Sequence, residues 1–412
     1  MSLLSSFARV LGALLLVATF TSSARSEPNW PRWRGPNENG HTSDKDVPLK
    51  WSEGDLAWKT ALPGKGQSSP VVWGDKIFLT AALENGKERV VFCVSRTDGK
   101  ILWQQSAWTG EPEPIHAMNS WASSTCVTDG EVVIAFFGRG GMHAYTVDGK
   151  LLWTKDLGRF EGPWGTSACP ILVDNMVIQN CDADVNAYLI SLDKNTGDEI
   201  WKTKRREHRG WSTPIIINSG SRREMVLNGH EGVQGYDPAT GKELWFCKGF
   251  AGRGEPTVTP AGGWLCVVNG QPGDFYCVKP GGDGDVTDSH MAWHTPRKSG
   301  RDCPSPIVIG KYVIVCSLDG IASCYDAVDG HVYWKERIAG KFSASPIAAN
   351  GLAYFLNEAG KTYAIEPGEA LKIVAESEIP AGKDEIFRSS LAPVQGQLFI
   401  RSTTTLYCVG KK

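Results

Sequence analysis

"YDPATGKELW", residues 236–245, is a tight-turn signal that runs straight into a tryptophan. Imperfect copies recur as "CVSRTDGKILW" ending at Trp103, "SLDKNTGDEIW" at Trp201 and "CYDAVDGHVYW" at Trp334. Tryptophans at 58, 103, 153, 201, 245, 293 and 334 keep the same beat, at intervals of 41 to 50 residues. A period in the forties belongs to propellers and repeat arrays. Within one period, starting at "CPSPIVIG" (303–310) and closing on "HVYWKERI" (331–338), the chain reads as four short strands. Gly with Asp or Asn marks the turns, and no 3.6-residue apolar stripe intervenes, so little helix is expected. The phrase itself predicts the turn between third and fourth strands. Asp and Thr hydrogen-bond the backbone there, Gly takes positive φ, and the tryptophan offers a rigid surface to the neighbouring blade.

The two ends decide whether the array closes. A seventh period has Ala375 where the tryptophan should stand, and an eighth, "RSSLAPVQGQLFIRSTTTLYCVG" (388–410), stops after three strands. The missing outer strand has a candidate in "DLAWKTAL" (55–62), which has no first three strands before it. The reading is an all-β, eight-bladed propeller whose last blade is closed by the N-terminal strand, leaving no free sheet edge at the seam.

Residues 1–26 read as a signal peptide: Arg9 precedes the apolar run Val10–Phe20 and the small-residue stretch "TSSARS". Residues 27–54 then form an extended N-terminal arm and 55–412 a single propeller. The run is shorter than a bilayer span requires, and no later stretch is apolar and long enough to cross. No cysteine closely follows it, so a lipid-anchored start is not expected. The location read from this is exported, periplasmic or extracellular. A formal net charge of -2 and the lack of a polybasic run exclude a nucleic-acid binder.

The 11 cysteines leave at least one thiol without an intrachain partner. Cys93 and Cys324 stand ten residues before their tryptophans, where Ser191 and Gly235 stand in other copies. That position asks for a small residue, so buried free thiols are expected. Cys169/Cys181, Cys266/Cys277 and Cys316/Cys324 are the hairpin pairs that could bridge.

The phrase at Gly235, Asp237, Thr240, Gly241 and Trp245, with Ser191, Asp193, Thr196, Gly197 and Trp201 beside it, resembles the tryptophan-docking motif of the pyrroloquinoline quinone (PQQ)-like repeat propellers. That group includes eight-bladed quinoprotein alcohol dehydrogenases and the lipoprotein that assists outer-membrane protein assembly. The resemblance covers roughly Leu56 to Gly410. "NWPRWRGPNENG", "GQSSPVVWGDKIF", "PWGTSACPIL", "GWSTPI" and "FSASPIAANG" are similar to phrases of exported single-domain members of unassigned function.

For the quinoprotein dehydrogenases the resemblance implies PQQ against a bound calcium, an aspartate base and often a disulfide of adjacent cysteines. No two cysteines are adjacent here, and no Glu/Asn/Asp calcium set or Cys-x-x-Cys-His haem site is legible, so neither PQQ nor calcium is supported by the residues. His-Glu-x-x-His, Gly-x-Ser-x-Gly, a phosphate-binding glycine loop and zinc-spaced cysteines are missing too. "CDADVNAY" (Asp182, Asp184, Asn186) and "GGDGDVTDSH" (Asp283, Asp285, Asp288) are oxygen-rich but lack the glycine and distal glutamate of an EF-hand loop. They read as hairpin turns with solvated acids.

In a propeller, the loops from each outer strand to the next inner strand meet at one mouth of the channel, where a rigid scaffold positions functional residues. Here those loops bring Lys65, His116, Asn119, Trp121, Trp164, His208 and Arg209 toward that mouth. Trp211, Arg253, Glu255, Arg301, Asp302, Lys341 and Arg388 complete the candidate set. Six are Lys or Arg and two are acidic, a basic mouth suited to an anionic or polyhydroxylated ligand. Against that, the tryptophans could plug the core, the histidines could be satisfied loop residues, and the cations could pair with Glu255, Asp302, Asp384 and Glu385.

The functional reading is an exported, non-catalytic scaffold that binds a protein or glycan partner in the cell envelope. One alternative is an enzyme, either a PQQ-dependent dehydrogenase or a sugar-active enzyme using His116, His208, Glu255 or Asp302 as acid and base. The other is an outer-membrane protein assembly factor.

Overall fold

The computed structural model describes residues 29–160, 162–249, 252–270, 274–297 and 301–410. The expected signal segment lies outside them. Eight small antiparallel sheets follow one another in chain order, each with its first strand innermost. The first blade is Val71–Trp73, Lys76–Leu83, Glu88–Ser95 and Ile101–Thr109. The eighth is Ala392–Val394, Gln397–Arg401 and Thr405–Gly410, closed by Leu56–Ala61, which pairs antiparallel with Thr405–Gly410. The ring is therefore the expected eight-bladed propeller with its termini sharing one sheet. Helix is confined to short turns, of which Thr287–His290 is the one α-helix among the described residues. No helix among them is long and apolar enough to cross a membrane.

Apolar side chains of facing blades fill the seams between sheets, and the tryptophans cement them. Trp58, Trp103 and Trp153 each donate the indole N–H to a carbonyl in the next blade's third-to-fourth turn, at Arg96 (3.0 Å), Val147 (3.1 Å) and Lys194 (2.9 Å). Trp201, Trp293 and Trp334 do the same to Pro238 (3.1 Å), Ala327 (3.1 Å) and Gly368 (3.0 Å). The glycine of the phrase thus serves the tryptophan of the preceding copy: a Cβ on Gly241, at φ 70°, would meet the Trp201 ring at 2.4 Å. Asp237 holds that turn by accepting from Ala239 N–H and Thr240 Oγ1 at 2.8 Å.

The phrase that reads best contains the exception. Trp245 packs against the fifth blade but donates to Glu224 Oε2 of its own blade at 2.7 Å, and its ring lies where a Cβ on Gly235 would be, 2.2 Å away. The fifth blade offers no receiving turn, because Lys279–His290 replaces it. That insertion instead lays a two-residue strand, Gly284–Asp285, in parallel along Trp245–Phe246.

The small-residue position lies directly across from the tryptophan in each pair: Cys93 opposite Trp103, Ser191 opposite Trp201, Cys324 opposite Trp334. Cys266 and Cys277, facing each other in the fifth blade with Cα atoms 4.4 Å apart, form a disulfide. The other nine cysteines are free, so the Cys169/Cys181 and Cys316/Cys324 pairs do not bridge.

Candidate functional site

Each inner strand is entered from a loop on one face, and the residue at that entry is Ser, Thr or Cys in every blade. The backbone N–H of each donates to the side chain of the next: Ser69 to Thr125, Thr125 to Cys169, Cys169 to Thr213 and Thr213 to Thr257. Thr257 donates to Ser305, Ser305 to Ser345, Ser345 to Ser390, and Ser390 back to Ser69, at 2.8 to 3.3 Å around the whole circle. The ring satisfies backbone donors that the twist of the blades leaves unpaired at the channel wall. Two residues upstream, with the period of extended chain, stand Gln67, Ser123, Ser167, Trp211, Glu255, Cys303, Ser343 and Arg388, which line a cavity of about 180 Å3.

The N-terminal arm floors this cavity from the opposite face. It turns between Arg32 and Gly40 rather than running straight, and bonds the far ends of several inner strands. Trp30 pairs with Val72, Pro31 O accepts Thr128 N–H, Glu38 accepts Ile216 N–H and Thr42 N–H reaches Ala348 O. Arg34, fully buried, donates to Pro306 O at 2.8 Å, and Trp33 reaches up to the ring, its indole donating to Ser390 Oγ at 3.2 Å. The arm thus closes one end of the channel and leaves the loop face as the open end.

Of the expected mouth residues, His116, Asn119, Trp164, Trp211, Glu255, Arg301 and Arg388 line the cavity. Trp164 sits among cations, 4.8 Å from Arg209 and 5.4 Å from Arg253, with His116 at 5.5 Å. Trp211 and Trp121 donate their indole N–H groups to Gly165 O and Glu113 O at 2.8 Å, so both are fixed parts of the wall. His208 stacks on His230, centroids 3.6 Å apart, away from the cavity, and burial lowers its pKa. Lys65 borders an adjoining groove toward the eighth blade, and Lys341 is exposed.

The mouth is less basic than the sequence suggests. Arg301 clasps Glu255 (2.6 Å), Arg388 clasps Glu358 (2.9 Å) and Arg209 meets Asp184 (3.1 Å). Asp302 is buried beneath, 2.6 Å from Arg297; burial raises its pKa to about 6 against the pull of that arginine. Glu385, expected beside a cation, is instead ringed by hydroxyls of Ser402, Thr404, Thr405 and Tyr407. Burial alone would raise its pKa, but these donors and Gly382 N–H bring it down to about 2. Most acids of the two oxygen-rich stretches are engaged: Asp182 holds buried Arg205, Asp283 holds Arg222 and Asp285 accepts from Thr287, while Asp288 is exposed. Asp182 is therefore a core ion pair, not a solvated acid.

The hydroxyl ring and Trp33 escaped the sequence reading. A signal exists, a Ser or Thr at the end of "GQSS", "GWST" and "FSAS", but the bond it makes runs from one blade to the next and leaves no mark within a single period.

A closed eight-bladed ring with docked tryptophans is a PQQ-like repeat propeller. The chain belongs to the family described as outer membrane protein assembly factor BamB, which matches residues 41–162, 87–248 and 229–400. It is similar to BamB of Yersinia pestis, 29% identical over 187 residues; that match spans 43% of each chain, so the aligned region is less than half of that relative's length. BamB of Burkholderia pseudomallei (strain K96243) is 23% identical over 362 residues, 75% of this chain and 87% of the relative. Among solved structures, BamB from Moraxella catarrhalis superposes with a TM-score of 0.62 at 16% identity, covering 87% of this chain and 97% of that one. A europium-containing methanol dehydrogenase superposes at 0.57 and 11%, covering 93% and 98%. At these identities the structural matches establish the fold, which binders and redox enzymes share.

Proposed function

We propose that this protein is an exported, non-catalytic binding module of the cell envelope that offers its loop face to a polypeptide partner. The observation that carries the reading is the arm: it occupies the far ends of the inner strands and leaves one preformed face, whose mouth is built from hydroxyls and self-paired charges. The family name speaks for a role in assembling proteins, and nothing in the relatives' names speaks for a glycan.

The quinone reading asks for different residues. The only carboxylate on the cavity wall among the described residues is Glu255, and both its oxygens are taken by Arg301. No group of three or more His, Cys, Asp or Glu among those residues is placed to hold a metal. A volume of about 180 Å3 also falls below the roughly 300–1,000 Å3 of ligand pockets. The residues present do not fit PQQ with calcium.

The test is photo-crosslinking in the native envelope, with a benzoylphenylalanine at Lys341 on the loop face and, in a second variant, at Leu49 on the arm. Discrete polypeptide adducts from Lys341 and none from Leu49 are expected. Adducts from Leu49 alone, or from neither, sink the proposal.

A further inference from the structure

We infer that the groove between the first and eighth blades is a docking site for an extended polypeptide segment in which basic and aliphatic residues alternate. The inference rests on the binding function proposed above and gives it a place and a chemistry. Volume decides the place. This groove encloses about 610 Å3, inside the usual range for binding sites, whereas the central cavity holds about 180 Å3. The two are continuous, sharing Gln67, Asn119 and Arg388 on their walls.

The groove is preformed. Its first wall is the tip of the first blade's hairpin, whose strands Lys76–Leu83 and Glu88–Ser95 are eight residues long and outreach their counterparts in the other blades. The Trp121 ring lies flat on that tip, so close that a Cβ on Gly86 would meet it at 2.4 Å, and its N–H is already bonded, so it presents a fixed apolar floor. Ile115 extends this floor, and Ile386, on the loop before the eighth blade, forms the opposite wall.

Charge decides the chemistry. Glu84 on one wall and Asp384 on the other are exposed and have no ion-pair partner among the described residues. Arg388 is already held by Glu358, which leaves Lys65 as the one cation lining the groove with no ion-pair partner among the described residues. Two free carboxylates against one ammonium favour a segment carrying Lys or Arg, whose aliphatic stems can lie along the indole while their heads reach the acids.

The experiment is isothermal titration of the full mature chain with two synthetic peptides, acetyl-Val-Lys-Leu-Lys-Val-Arg-Leu-amide and its counterpart with Glu at each basic position. Saturable binding of the basic peptide is expected, weakened about tenfold by Glu84→Gln with Asp384→Asn, since two exposed charge contacts together come to about 1.4 kcal/mol. Lys242→Gln, in the third-to-fourth turn of the fourth blade, leaves it unchanged. Equal binding of the acidic peptide, no binding of the basic one, or indifference to the double substitution overturns the site. If Lys341 still crosslinks to a polypeptide in that event, the groove is wrong and the binding function stands. If Lys341 gives no adduct while the basic peptide binds as described, the groove stands and the envelope role fails.

Discussion

The seam between the third and fourth blades and the seam between the fourth and fifth are built from the same phrase in two ways. At the first, Trp201 lies on Gly241 and bonds Pro238 O, so that one blade's outer strand is keyed to the next blade's turn. At the second, Trp245 finds no glycine turn, folds over Gly235 and bonds a buried carboxylate. The fifth blade then adds the parallel strand Gly284–Asp285 and the Cys266–Cys277 bridge. A docking motif is therefore a property of two blades. When the receiving half is lost to an insertion, the donor tryptophan is retained by other means.

The widest test of this comparison is truncation. Trp245→Ala removes a ring that is fully buried and leaves a hole that cannot fill from solvent, so it is expected to cost about 5 kcal/mol, the top of the range for buried aromatics. Trp334→Ala, at a ring 7% exposed, is expected nearer 3 kcal/mol. Urea unfolding of both variants measures the gap, and equal losses would mean that the two seams are energetically alike.

Reduction comes next. Because the remaining cysteines are already free, a reductant acts on Cys266–Cys277 alone. The bond closes a short loop, 11 residues apart in sequence, and in the chain-entropy account its loss costs about 3 kcal/mol. A melting temperature that does not fall with added dithiothreitol would remove the disulfide from the devices that replace docking.

The fold was legible because its signals are local and repeated: turn chemistry and strand alternation recur in each period, a tryptophan in all but the seventh blade, and the incomplete first and last periods complement each other. The exception at Trp245 was not, since its cause lies some forty residues on, in the insertion Lys279–His290. The candidate site was half legible for a similar reason. Loop position alone puts His116, Trp164 and Arg301 at the mouth, but whether an arginine there is free depends on an acid from another blade, such as Glu358 for Arg388. The seam groove was less visible still, because Glu84, Trp121 and Asp384 come from three separate segments and meet only when the ring closes.

The smallest expected effect isolates the hydrogen bond itself. Trp245→Phe and Trp334→Phe delete the same pyrrole atoms, so the packing losses largely cancel between them and the difference reports the acceptor. At Trp334 the acceptor is a neutral carbonyl, Gly368 O at 3.0 Å near the surface, and a net loss of about 1 kcal/mol is expected. At Trp245 it is the Glu224 carboxylate at 2.7 Å, inside the seam, where a bond to a charged group is worth about 1.5–3 kcal/mol. Glu224 keeps its second partner, Arg222 at 2.7 Å, so the variant should still fold and the cost stay within that range. Adding Glu224→Gln completes a double-mutant cycle, and its coupling energy with Trp245→Phe should match the excess over Trp334→Phe. A coupling near zero would show that the charge of Glu224 adds nothing to this bond, and the buried carboxylate would then serve Arg222.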